Sequence, residues 1–171
     1  MEERSLIAYE QYKDSMQRFE YFITGVIGAL CAFIAQSFTP HRIGFNPSTI
    51  EFLSLIVLLL SFFFSLKRME SISNLFRLLH KKLHASECKG QLVLNIDKTP
   101  FVNAQSGEQY NSPIEVQLEI EAINKALPKI SSEIDLTNSK VGRFYTYRNY
   151  SFYFGVILLI YSKILFAYYK C

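Results

Sequence analysis

Tryptophan is absent from this chain, and cysteine, proline and glycine are sparse, at three, five and seven of 171 residues. The cysteines, Cys31, Cys88 and Cys171, lie far apart and form no paired framework, which excludes a disulfide-stapled scaffold and fits a mostly reducing environment. The GxxxxGK(S/T), GxGxxG, HExxH, GxSxG and CxxC signatures are all missing, so neither an enzyme nor a cofactor is expected. No direct nucleic-acid binding is expected either. The first twenty residues are polar, with acids among them, unlike a cleavable signal peptide, so the apolar segment that follows is expected to be retained.

What the chain does have is long hydrophobic runs. Ser48–Leu66, STIEFLSLIVLLLSFFFSL, carries Glu51 as its sole charge, and a helix needs about 20 mostly apolar residues to cross a bilayer. Tyr21–Phe38 and Asn149–Tyr169 meet the same test. The expected fold class is therefore an all-α membrane protein with three transmembrane helices (21–38, 48–66 and 149–171) and a cytoplasmic helical, coiled-coil-like bundle. Three spans take up about sixty residues and leave little room for a catalytic domain. Mean hydropathy is only +0.13 because a polar central insert dilutes the spans. In the absence of Trp, Tyr must supply the interfacial belts: Tyr145, Tyr147, Tyr150 and Tyr153 at one end of the third span, Tyr161, Tyr168 and Tyr169 towards the other.

Lysine and arginine counts set the expected topology. The loop 39–47 holds Arg42 alone, whereas residues 67–148 hold Lys67, Arg68, Arg77, Lys81, Lys82, Lys89, Lys98, Lys125, Lys129, Lys140, Arg143 and Arg148. Positive flanks stay cytoplasmic. The chain is thus expected in a bacterial inner membrane, with the N-terminus and the insert 67–148 inside and the C-terminus, with Cys171, outside.

Residues 1–20 place Leu6, Tyr9, Tyr12, Met16 and Phe19 at steps of three and four, an amphipathic helix leading into the first span. Its five acids against three bases favour packing on protein over lying on lipid. The first span carries a ladder of small residues, Gly25, Gly28, Ala29, Ala32 and Ala35, of the kind that lets helix backbones approach closely in lipid. Contact with the chain's own spans is the favoured expectation over self-association. Two further rows, Ser54, Ser61 and Ser65, and Ser151, Gly155 and Ser162, face either a neighbouring helix or a wet lumen, and are the candidate pore lining.

The second span is expected to run on as a stalk over 67–89, where Met69, Ile72, Leu75, Phe76, Leu79 and Leu83 keep helical spacing. Gln91–Lys98 reads as a short extended piece and Thr99–Asn111 as a polar loop, together a strand-and-loop segment over 90–112. Ser112-Pro113-Ile114-Glu115 is a capping box with proline at the first helical position. It opens a long helix over 113–148 whose Val116, Ile120, Ile123, Leu127, Ile130 and Ile134 form a seam, with a kink expected near Pro128. The stalk is basic; residues 112–135 and 1–20 are net acidic, which suggests a three-helix cytoplasmic bundle.

Three groups of side chains bear on chemistry. Glu51 and Lys163 are charges inside spans, at comparable expected depth, and either pair or snorkel independently. Arg77, Lys81 and Lys82 could hold an anionic ligand such as a nucleotide messenger, or an acidic segment of a cytoplasmic effector protein, although a solvated basic face is the plainer reading. Arg143 and Arg148 form a collar for anionic lipid headgroups. His80, His84 and Cys88, at four-residue steps, could offer metal ligands, but the surrounding lysines argue against it and no metal is expected.

The amphipathic N-terminal helix, the close hairpin of spans over Tyr21–Leu66 and the helix from Lys67 resemble the SLATT family of small bacterial membrane effectors. The resemblance covers about the first half of the chain; the third span is an addition to that layout. It implies a homo-oligomeric pore or membrane-perturbing effector, gated by its cytoplasmic helices and acting in antiviral defence. The competing expectation is a non-conducting membrane adaptor whose cytoplasmic helices dock a partner protein.

Overall fold

The computed structural model describes residues 2–38, 46–98, 100–102 and 107–170, with positions 2–13, 169 and 170 as backbone alone. Three helices dominate: α1 (Glu2–Ser37), α2 (Pro47–Asn95) and α3 (Pro113–Lys170). All three are long and apolar enough to cross a membrane. A 3-10 turn (Ile96–Lys98) and a two-stranded antiparallel ribbon, β1 (Phe101–Val102) with β2 (Gln109–Tyr110), connect α2 to α3. Phe101 is paired with Tyr110, and their rings stack at 5.6 Å. The loop 39–45, Cys171 and the side chains of Leu6, Tyr9, Tyr12 and Tyr169 lie outside the described residues.

Local chemistry explains the helix limits. Asn46 caps α2, its Oδ1 accepting from Thr49 N at 2.9 Å, and Pro47 occupies the first helical position, where its missing N–H costs nothing. At α3 the cap forms with one shift from the expected box: Ser112 Oγ accepts from Glu115 N, while the Glu115 carboxylate reaches one residue past the cap to Asn111 N at 2.9 Å. One expectation fails here. Gln91–Asn95 is helical, not extended, because Leu92 continues the buried face begun by Cys88 and packs on Tyr110 and Val116; that burial overrides the weak helix propensity of Gly90 and Val93. Pro128 lies inside α3, which continues past it as one helix. Asn124, whose carbonyl loses its partner there, is exposed, so water can satisfy it.

The chain divides into two compact units: residues 1–70 with 141–171, and residues 71–140. The N-terminal helix therefore groups with the spans.

In the first unit α2 is antiparallel to both neighbours. Glu20–Arg68, Thr24–Ser65, Gly28–Phe62 and Phe38–Phe52 set its register on α1. Ser54–Gly155, Ser61–Arg148 and Ser162–Pro47 set its register on α3. Its apolar core is small, Ile27, Cys31, Ile34 and Leu58, with Leu55, Phe62, Phe152 and Val156 around it. In the second unit the core is Leu92, Tyr110 and Val116, with Ile96, Phe101, Ile120 and Ile123 packed against them. The rest of the α3 seam, Leu127, Ile130 and Ile134, is half-buried.

Candidate functional site

Each of the three spanning segments ends, at one and the same end of the first unit, in a charge: Glu20 just before the apolar run of α1, Arg68 just after that of α2, and Arg148 just before that of α3. The antiparallel register brings them together. Arg68 Nη1 donates to Glu20 Oε1 at 2.5 Å and Arg148 Nη1 to Glu20 Oε2 at 2.6 Å, so a single carboxylate holds a guanidinium on each oxygen. All three are buried, with Glu20 3%, Arg68 6% and Arg148 3% exposed. The Tyr145 ring lies under both cations, 4.5 Å from Arg68 Cζ and 5.1 Å from Arg148 Cζ, where its π-face offsets part of their charge. Arg148 Nε donates to Asn149 Oδ1 at 3.1 Å. The cluster still carries one positive charge in excess, and among the described residues Arg68 Nε is the one buried side-chain polar atom that has no hydrogen-bond partner.

A polar row leads inward from this cluster. Thr24 Oγ1 donates to the Glu20 carbonyl at 2.8 Å and accepts from Ser65 Oγ at 2.5 Å. Ser61 Oγ donates to the Arg148 carbonyl at 2.9 Å, Ser54 Oγ to the Gly155 carbonyl at 2.8 Å, and Ser162 Oγ to the Pro47 carbonyl at 2.9 Å. These four serines are essentially inaccessible. They staple α2 to α1 and α3 inside a single chain and line no path through it, which corrects the expectation of a serine-lined pore. The physical reason is general: in lipid a hydroxyl gains most by bonding a neighbouring helix, and small residues permit the approach that requires. Gly155 makes the same point sterically, since a Cβ there would stand 2.7 Å from Leu58 Cγ. Ser151 is half-buried.

At the opposite end of the unit Lys163 Nζ lies 2.6 Å from Glu51 Oε1, with the lysine side chain 54% and the glutamate side chain 13% exposed. The two intramembrane charges singled out in the sequence are thus brought together, in one chain.

The small-residue ladder of α1 splits. Gly28 faces inward, where a Cβ would meet the Phe62 ring at 3.2 Å, but Gly25, Ala29 and Ala32 are exposed on the opposite side from the buried Ile27, Cys31 and Ile34, and Ala35 is exposed at the flank of that buried face. Packing on the chain's own spans, the favoured expectation for this ladder, holds for Gly28 alone. The apolar side consumed by the bundle is the one carrying the branched residues.

Arg148 belongs to the buried cluster, not to a surface collar; Arg143 is exposed. Arg77, Lys81 and Lys82 are exposed on α2 in the second unit. Cys88 is buried there, with Sγ 3.7 Å from His84 Nδ1, while His80 and His84 are exposed; no three His, Cys, Asp or Glu side chains converge on a metal site among the described residues. Burial pushes the Cys88 thiol above its ordinary value of 9.0, and the carboxylates of Glu87, Glu108 and Glu119 push the same way.

Sequence reasoning missed the Glu20–Arg68–Arg148 cluster because each member adjoins an apolar run: the two arginines read as positive flanks of spans, and Glu20 as one of the acids of the N-terminal helix. The signal was there: one acid and two bases, each next to a span terminus, at ends that alternating direction must bring to one side. Comparison with protein-family models, with curated proteins and with solved structures gives no match to this chain.

Proposed function

We propose that this chain is the protomer of a homo-oligomeric inner-membrane effector that permeabilises or perturbs the bilayer, with residues 71–140 on the cytoplasmic side receiving the signal, as in SLATT-type antiviral defence. One observation carries the reading: the outward face of α1 presents Gly25, Ala29 and Ala32 at helical spacing, small residues that permit close helix approach and that stay exposed among the described residues. With the serines closed inside the protomer, any conducting path lies between protomers, around an axis. The exposed Arg77, Lys81 and Lys82 are the basic group on which an anionic trigger would act.

The test is the assembled mass in lipid nanodiscs together with ion flux from liposomes, for the parent and for Ala32→Leu. The expected result is an oligomer that conducts, with both properties lost in the variant. A parent that stays monomeric would contradict the reading.

The adaptor reading rests on a different observation. Val93, Leu94, Val102, Ile114 and Leu118 are exposed in the second unit, in the segments that flank its core, and apolar patches of this kind mark protein contacts. An oligomer that never conducts, even when its trigger is supplied, would favour it.

A further inference from the structure

The excess charge of the Glu20–Arg68–Arg148 cluster has a counterpart in the adjoining surface. Between α1 and α3 lies a recess of about 200 Å³ whose polar wall is Arg148, Asn149 and Tyr145 and whose apolar wall includes Ile23, Val26 and Phe152. Polar and apolar walls follow one another along the helix axes, from the charged span end into the apolar run. Because Asn149 Oδ1 already accepts from Arg148 Nε, the asparagine's amide N–H groups remain to donate to something else. A buried guanidinium pair sharing one carboxylate is poorly compensated in a dry setting, and one further anion would bring the cluster to neutrality.

We propose that this recess is a binding site for an anionic phospholipid. The phosphodiester sits against Arg148, Asn149 and the Tyr145 hydroxyl, and one acyl chain lies along Ile23, Val26 and Phe152. Charge complementarity selects the headgroup: phosphatidylcholine also carries a phosphodiester, but its trimethylammonium cancels the charge that the cluster lacks. The apolar wall selects a lipid over a soluble phosphate. The site sits at the ends of the apolar runs, where headgroups meet water, on whichever face of the membrane that end lies. It is independent of whether the protein conducts.

The full chain, stripped of lipid in neutral detergent, is offered an equimolar mixture of phosphatidylglycerol and phosphatidylcholine with identical acyl chains, and bound lipid is read by native mass spectrometry. One basic charge in excess corresponds to about fivefold preference for the anionic lipid. Val26→Trp fills the apolar wall without touching the ion cluster; it should unfold in lipid-free detergent at the temperature of the parent, yet lose the phosphatidylglycerol adduct. Asn149→Leu should weaken that adduct selectively. Equal retention of the two lipids, or a Val26→Trp variant that keeps phosphatidylglycerol, would overturn the proposal. So would inorganic phosphate stabilising the parent as well as phosphatidylglycerol does, because the source would then be a soluble anion.

Discussion

The two units bury opposite kinds of residue. Inside the first lie Glu20, Arg68, Arg148, Thr24 and four serines around a small apolar core, while Phe22, Phe33, Leu59, Leu60, Phe63 and Ile157 stand on its surface. Inside the second lie Leu92, Val116 and Tyr110, while Arg77, Lys81, Lys82, Glu121 and Glu133 face out. Water rewards the removal of apolar surface; lipid does not distinguish a leucine from itself, and so leaves hydrogen bonding, ion pairing and close contact to decide what goes inside. A single covalent chain obeys both rules, changing from one to the other along α2 and again along α3.

Substitutions at the two cores should separate these regimes. The largest effect is expected at Glu20. Glu20→Gln leaves two buried guanidinium groups facing each other, and removing one partner of a buried ion cluster typically costs about 3–5 kcal/mol. Thermal unfolding in detergent should show the loss, and replacing Glu20, Arg68 and Arg148 together by Leu, Met and Met should recover much of it. A Glu20→Gln protein as stable as the parent would mean that the carboxylate is not holding both cations.

Next is Val116→Asp, which would place an unpaired charge in the apolar core of the second unit, at a cost of several kcal/mol. Proteolysis should then cut within 90–120 while the spans stay protected. Uniform protection would show that the second unit does not depend on that core.

Gly155→Val is a steric break in the first unit. Leu58 is fully buried and cannot retreat from the new side chain, so α2 and α3 must separate, with a loss of about 1–3 kcal/mol typical of overpacking. Gly25→Val, where nothing lies within 4 Å, should leave monomer stability nearly unchanged. Equal effects at the two glycines would contradict the assignment of inner and outer faces.

Smaller still is the Glu51–Lys163 pair. With Lys163 half exposed, a double-mutant cycle should give a coupling of about 0–1 kcal/mol. The thiol of Cys88 offers a pH test of the second unit. Its folded pKa is raised, so its contribution to stability is complete below about pH 9 and is lost as the pH climbs towards the folded value. Alkylation of Cys88 should be slow in the native protein and fast once it is unfolded; rapid native labelling would place the thiol at the surface. For the same reason, protection of Cys88 from a labelling reagent says nothing of membrane topology.

The spans were legible in the sequence because length and uniform apolarity suffice to mark them. So was the α3 cap, since Ser112 and Glu115 act on their own backbone neighbours. Glu51 and Lys163 stood out as charges within apolar runs. What could not be read was direction: the serine row on α2 was visible as a face, but a row of small polar residues suits a lumen and a helix interface equally well, and the neighbours that decide are 41 to 101 residues away. Gln91–Asn95 failed for a similar reason, because Leu92 is held helical by Val116 and Tyr110 across the connection.

Whether the serines face inward is what the account of the first unit turns on, and spin-label accessibility along α2 measures it directly. Single cysteines at positions 58–66, in a background free of native cysteine, are labelled in liposomes and their collision rates with oxygen and with a water-soluble nickel complex compared. Oxygen access should peak at 59, 60, 63 and 66, where the side chains meet lipid, and both reagents should be excluded at 58, 61 and 65. Nickel access at Ser61 and Ser65 would place the row on a water-filled path and contradict the closed, hydrogen-bonded interior.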